Sequence, residues 1–293
     1  MPATAELALA SFYRQAAEVT AEHSKSFYFA TRFFPPRLAQ SAHAVYWFCR
    51  HTDDLVDECA TVDQGRRDLE EWAQSVEAAF RGGPVDRPVL VAFLDAKRRH
   101  SIPDEYPLEL IEGMRMDLER TRYADFDGLR LFCYRVASVV GLMMSHVIGF
   151  QDGALPYAVD LGIAMQLTNI LRDIGEDLHR GRIYIPEVEM ARFGYSAHEL
   201  EERVRNEAFR ELMRFQVARA RRFYAASNPG ISLLSPDGRF AVKVASDVYR
   251  SILRRIEKSD YDVFEHRAYV PAMEKYWITA RSMAVPAVRR LWR

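Results

Sequence analysis

Apolar residues recur at three- and four-residue spacing along most of this chain, the period of helices with one buried face. Clusters of Pro and Gly interrupt that period near residues 81–88, 101–107, 151–156, 181–194 and 226–238. The pattern predicts helices near residues 4–22, 37–60, 66–80, 87–100, 107–122, 126–149, 155–179, 197–226, 238–258 and 272–290. No alternating strand pattern, internal repeat or linker-like stretch competes with it. The expectation is a single all-α domain over residues 1–293.

The stretch 166–186, QLTNILRDIGEDLHRGRIYIP, carries the first chemistry. At about 100° per residue, Gln166, Asn169, Asp173, Glu176 and Asp177 share one arc, and Ile163, Leu167, Ile170, Leu171, Ile174 and Leu178 fill its neighbour. Carboxylates held so close raise one another's pKa, so the arc is favourable mainly around a multivalent cation. Arg180 and Arg182 stand just past it in the turn that ends the helix.

A second acidic cluster lies in residues 50–58, RHTDDLVDE. With Asp53 at zero on a helical wheel, Tyr46, Asp57 and Arg50 fall within about 60°, while Ala44, Phe48 and Leu55 lie opposite. One such run is ordinarily a solvated helix face. Two, each with an intact apolar side, argue for a facing pair. An EF-hand is excluded because the acidic residues follow a helical period, and a di-iron bundle because Glu-x-x-His occurs once, at Glu176 and His179. All-oxygen donors select Mg²⁺ over Ca²⁺ or Zn²⁺, and Mg²⁺ on a few carboxylates usually shares substrate phosphates. His23, Ser24, Lys25 and Ser26, with Arg50 and Arg172, are candidates to complete a phosphate site. Asp117, read alone, is an ion-paired or surface carboxylate. Tyr134, Ser138 and Gly141 recur at i, i+4 and i+7, which predicts a helix face with room beside it, and Met114, Met116, Met143, Met144 and Met165 add adaptable apolar surface.

Composition narrows the partners. Of 293 residues 49% are hydrophobic, enough for a sizeable core, and 40 Lys and Arg against 41 Asp and Glu leave a net charge of -1, which gives no reason to expect nucleic acid. Three cysteines without a C-x-x-C pair are expected as free thiols in a reducing cytoplasm. The N-terminus has no secretory pattern, and the most apolar run, residues 136–150, reads as a core helix. Residues 273–293 form a basic tail, with Lys275, Arg281, Arg289, Arg290 and Arg293 against Glu274, and with Trp277 and Trp292 interleaved. Such a tail suits peripheral contact with an anionic membrane surface, at the inner face of the membrane. Oligomeric state is not readable from the chain.

Taken together, HSKSF at 23–27, YWFCRHTDDLVDE at 46–58, CYRVASVVGLM at 133–143 and the 166–186 stretch resemble the signature blocks of the squalene and phytoene synthases, the head-to-head prenyl synthases. GMRMDLERTRY, GISLLSPDGR and YDVFEHRAYVP are most similar to those of bacterial and plant phytoene synthases. The resemblance implies an all-α isoprenoid-synthase fold around a central cavity and Mg²⁺, with Mn²⁺ as substitute, on Asp53, Asp57, Asn169, Asp173 and Asp177. It further implies phosphate contacts from His23, Ser24, Lys25, Ser26, Arg50, Gln166, Arg172 and Arg267, with Tyr46, Tyr134 and Tyr249 at the reacting centre. The implied reaction joins two geranylgeranyl diphosphates through prephytoene diphosphate to phytoene, without NADPH. Two other readings stay open: farnesyl diphosphate as substrate, giving presqualene diphosphate, dehydrosqualene or squalene, and a non-catalytic helical scaffold.

Overall fold

A computed structural model describes the backbone of residues 2–291 and the side chains of residues 7–282. Its helices are α1 (Pro2–His23), α2 (Lys25–Thr31), α3 (Pro36–Asp57), α4 (Val62–Phe80), α5 (Pro88–His100), α6 (Glu105–Glu119), α7 (Phe126–Cys133), α8 (Val139–Ile148), α9 (Leu155–His179), α10 (Glu187–Arg192), α11 (Ala197–Glu201), α12 (Glu207–Ser227), α13 (Pro236–Lys258) and α14 (Ala272–Leu291). A π-turn, Tyr134–Ser138, joins α7 to α8, and a 3₁₀ segment, Asn228–Leu233, joins α12 to α13. The architecture is all-α, as the periodicity predicts.

Punctuation residues set the boundaries. Pro36, Pro88 and Pro236 open α3, α5 and α13, where the missing N–H costs nothing. Thr61 and Asp125 accept backbone N–H groups at the starts of α4 and α7. The helix expected over 197–226 is instead two. Ser196 and Glu199 form a capping box that starts α11, and Asn206 accepts the Phe209 N–H to start α12 after a left-handed turn at Arg203. Short α2 and α10 escape the sequence pattern because six or seven residues hold too few turns to show a period.

α9 runs through the middle, packed against α8, α12, α13 and the π-turn. Its apolar arc, including Leu167, Ile170, Leu171 and Ile174, joins Val217, Tyr224, Val248 and Leu253 of α12 and α13 in one core cluster. A second cluster centres on α3, where Phe48 is fully buried and stacks on Phe93 at 4.1 Å. Truncating a Phe so placed costs about 3–5 kcal/mol. Val136 and Val159 touch both clusters, so the acidic helices α3 and α9 are held in one packed body. The continuous run Phe126–Ile148 is long and apolar enough to cross a membrane, but half of its most apolar stretch is buried inside the protein, the signature of a core helix. All three cysteines are free.

Candidate active site

An apolar cavity of ≈ 280 Å³ lies between α8, α9 and α13. Ser24, Tyr46, Gln166, Asn169 and Tyr249 mark its polar end, and Val140, Met144, Leu161, Met165 and Leu234 line the remainder. α9 contributes Tyr157, Ala158, Leu161, Gly162, Met165, Gln166 and Asn169, one face at three- and one-residue steps. At 1.5 Å per residue that wall is about 18 Å long. Burial pushes the Tyr46 phenol up to about 12, and its ring stacks on Phe27 at 5.3 Å.

The two acidic clusters meet beyond the polar end, and arginines lie between them. Arg180 and Arg182 donate to Asp57 of α3 at 2.7 and 2.8 Å from the loop that follows α9. Arg182 also stands 3.0 Å from Asp117 of α6. Arg172 and Arg267 each donate to Asp173 at 2.8 Å, and Arg50 pairs with Asp53 at 3.3 Å and with Asp54.

These contacts sort the carboxylates into two kinds. Burial alone would raise Asp57, yet hydrogen bonds and charge from Arg182 and Arg180 hold it below its ordinary value. Asp173 is likewise buried and likewise held down, by Arg172 and Arg267. Asp53 and Asp177 are compensated less: Arg50 acts on Asp53, and Arg182 and Arg180 act on Asp177, without offsetting burial and the neighbouring carboxylates. Desolvation, then the charge of Asp57, pushes Asp53 up to about 7; desolvation, then Asp173 and Asp117, pushes Asp177 up to about 8. Two carboxylates pushed up therefore belong to the same cluster as two that arginines hold down.

Three features fit a hard divalent cation. The donors are all oxygens, burial and neighbouring carboxylates push Asp53 and Asp177 up, and the buried Oδ1 of Asn169 has no hydrogen-bond partner. The ligand set expected from sequence is not preassembled. Among the described residues no three His, Cys, Asp or Glu side chains converge into a metal centre, because Asp57 and Asp173 are turned onto arginines.

A family model described as squalene/phytoene synthase matches residues 20–274. The chain belongs to the squalene/phytoene synthase family. It is 43% identical to a phytoene synthase from Arthrospira platensis over 90% of this chain and 89% of that one. It is 40% identical to a 15-cis-phytoene synthase from Synechococcus elongatus over 94% and 93% of the two chains. Among solved structures, a dehydrosqualene synthase in complex with ligand superposes with a TM-score of 0.90 at 29% identity, over 96% of this chain and 98% of that one.

Seen as a squalene/phytoene synthase fold, the chain brings together most of the residues expected from its motifs. Ser24, Tyr46, Gln166, Asn169 and Tyr249 line the cavity, and Asp53, Asp57, Asp173, Asp177, Arg50, Arg172 and Arg267 cluster beside its polar end. His23 and Lys25 stand exposed at the α1–α2 junction, where Lys25 faces Lys275, and Ser26 is half-buried.

Tyr134 does not line the cavity. It packs half-buried toward α6, where Glu105 and Glu109 are close enough to act on its phenol. Ser138 is also absent from the wall, being fully buried and donating to Val159 O. The π-turn explains both, since its extra residue breaks the angular alignment that i, i+4, i+7 spacing assumes, leaving Gly141 alone of the three on the wall. Of the five methionines only Met144 and Met165 reach the cavity, and the others are core.

Asp117 is the residue that sequence reasoning undervalued. It is 6% exposed, accepts 2.6 Å from the Tyr184 hydroxyl, and its charge is felt by Asp53 and by Asp177. Its place inside GMRMDLERTRY was the only available signal.

Proposed function

We propose that the protein is a phytoene synthase, joining two geranylgeranyl diphosphates head to head through prephytoene diphosphate. The observation that carries this reading is the placement of a long apolar cavity directly behind paired acidic and basic groups. A diphosphate suits one end and a prenyl chain the other. The 40–43% identity to phytoene synthases over at least nine-tenths of the chain supports the geranylgeranyl substrate.

Asp53, Asp57, Asn169, Asp173 and Asp177 would hold Mg²⁺, or Mn²⁺ in its place. The bound cation supplies Lewis-acid neutralisation of diphosphate charge. Arg50, Arg172 and Arg267 are paired with Asp53, Asp54 and Asp173, from which they can pass to substrate phosphates and stabilise the departing diphosphate. Val140, Met144, Leu161 and Met165 keep water from the allylic cation, and Tyr46 and Tyr249 put aromatic rings, which can stabilise a cation, in the cavity wall. Asp117 does not line the cavity, which favours released pyrophosphate as acceptor of the final proton. Free thiols support a cytoplasmic enzyme. In the basic tail, Trp277 is 72% exposed, which supports peripheral membrane contact, while the side chains of Arg289, Arg290, Trp292 and Arg293 lie outside the described residues.

The test is incubation of purified protein with Mg²⁺ and either geranylgeranyl or farnesyl diphosphate, with and without NADPH, followed by extraction of the hydrocarbon. Phytoene from the longer substrate without NADPH is the expected product. The likeness to a dehydrosqualene synthase favours the farnesyl reading as second, and product from farnesyl diphosphate alone would establish it.

A further inference from the structure

A second cavity, a cleft of ≈ 890 Å³, opens between α12, α13 and α14, outside the site just described. Arg221, Arg239, Lys243, Arg250, Arg254 and Arg281 line it, against Asp247 as the acidic lining residue. Internal contacts satisfy part of this charge. Lys243 pairs with Asp247, Arg221 with Glu257 at 2.5 Å, and Arg239 donates to Leu234 O at 2.8 Å. Arg250, Arg254 and Arg281 are exposed; Arg250 has no ion pair among the described residues, and Arg254 stands 4.0 Å from a Glu274 already bonded to Arg255. Cations gathered around one cleft repel each other, a cost that an anion removes.

Position gives the cleft a direction. Arg239, Lys243, Asp247, Arg250 and Arg254 fall on one face of α13, and Val242, Ala245 and Tyr249, about 130° around the helix, line the apolar cavity. Ile231 lines both. An aromatic row leads away from the cleft: Phe240 to Phe33 at 5.2 Å, Phe33 to Phe29 at 5.6 Å, Phe29 to Tyr276 at 5.5 Å. On α14 around its outer end Met273, Tyr276 and Trp277 are 70%, 55% and 72% exposed. Basic side chains next to exposed Trp, Tyr and Met match a surface that rests in lipid headgroups rather than in bulk water.

We propose that this cleft is a docking site for the phosphates of anionic phospholipids, which seats the α13–α14 face on a membrane. The docking itself is independent of the phytoene synthase reading. Its use rests on that reading, because it places the face bearing Ile231 where an oily product has a short way into the bilayer.

The experiment is co-sedimentation of the full chain with phosphatidylglycerol-containing vesicles and with pure phosphatidylcholine vesicles. The wild type is expected to prefer the anionic vesicles and to lose binding as salt rises. At about fivefold per cation, Arg250→Glu/Arg254→Glu/Arg281→Glu should weaken binding about 100-fold or more, with turnover in detergent retained. Arg→Gln at the same three positions serves if charge reversal prevents folding. Trp277→Ala should weaken binding without changing its salt dependence. Equal binding of wild type to both vesicles, or unchanged binding by the triple variant, overturns the proposal. Release from vesicles by micromolar inorganic pyrophosphate at constant ionic strength would assign the cleft to a free phosphate ligand and overturn the lipid source.

Discussion

Arg182 donates to Asp57 across 125 residues of sequence, at 2.8 Å, and so ties the loop after α9 to the end of α3. The same guanidinium lies 3.0 Å from Asp117, with side-chain exposures of 12% for the arginine and 6% for the aspartate. One cation thus serves two carboxylates from different helices. Arg182→Gln should cost roughly 3–5 kcal/mol, because Asp117 is left buried with only the weaker charge of Arg180 to balance it. Urea unfolding measures the loss, and adding Asp117→Asn should recover part of it.

Asp53 and Asp173 should separate in stability while agreeing in activity. Asp53→Asn removes a carboxylate crowded by Asp57, so the fold should keep or gain stability. Asp173→Asn takes the partner from Arg172 and Arg267 and should lose about 1–3 kcal/mol. Both should lower turnover by roughly 10²–10³-fold, and chelator should abolish wild-type turnover until Mg²⁺ or Mn²⁺ is restored. Near wild-type turnover by Asp173→Asn at low Mg²⁺ would refute the metal assignment.

His43 gives a pH dependence away from the site. It is 8% exposed, its Nε2 lies 2.8 Å from the Thr31 hydroxyl, and burial lowers its pKa from 6.5 to about 4. Below pH 6.5 the unfolded chain binds a proton that folded His43 refuses until about pH 4. Its contribution to stability therefore falls as pH drops through that window, by up to about 3 kcal/mol, and levels off below it. Comparing urea midpoints at pH 7 and pH 5, His43→Gln should lose less than the wild type.

Gly162 is where α9 touches the π-turn. A Cβ there would stand 2.4 Å from Ser138 Cα, a backbone atom that cannot rotate away. Gly162→Ala should force the two elements apart, at a cost of about 1–3 kcal/mol, and shift a wall of the cavity. A fall in Tm together with reduced turnover is the expected result. An unchanged Tm would show that the contact is looser than it looks.

The sequence alone determined the helical class and both acidic helices, because a 3.6-residue period and carboxylates four apart on one helix are local properties. It likewise exposed the motifs that carry the family resemblance. Tertiary structure decided what depends on distant neighbours. No spacing rule predicts that Arg180 and Arg182 reach Asp57, or that Asp117 on α6 sits within reach of charges on α3 and α9. The face of Tyr134 could not be read either, since one π-turn shifts every later residue around the helix and a wheel drawn from sequence assumes there is none. Asp53 and Asp177 were legible as candidates, but their difference from Asp57 and Asp173 was not. That difference is set by which arginines packing delivers to each carboxylate, a property of the folded chain and not of the residues one by one.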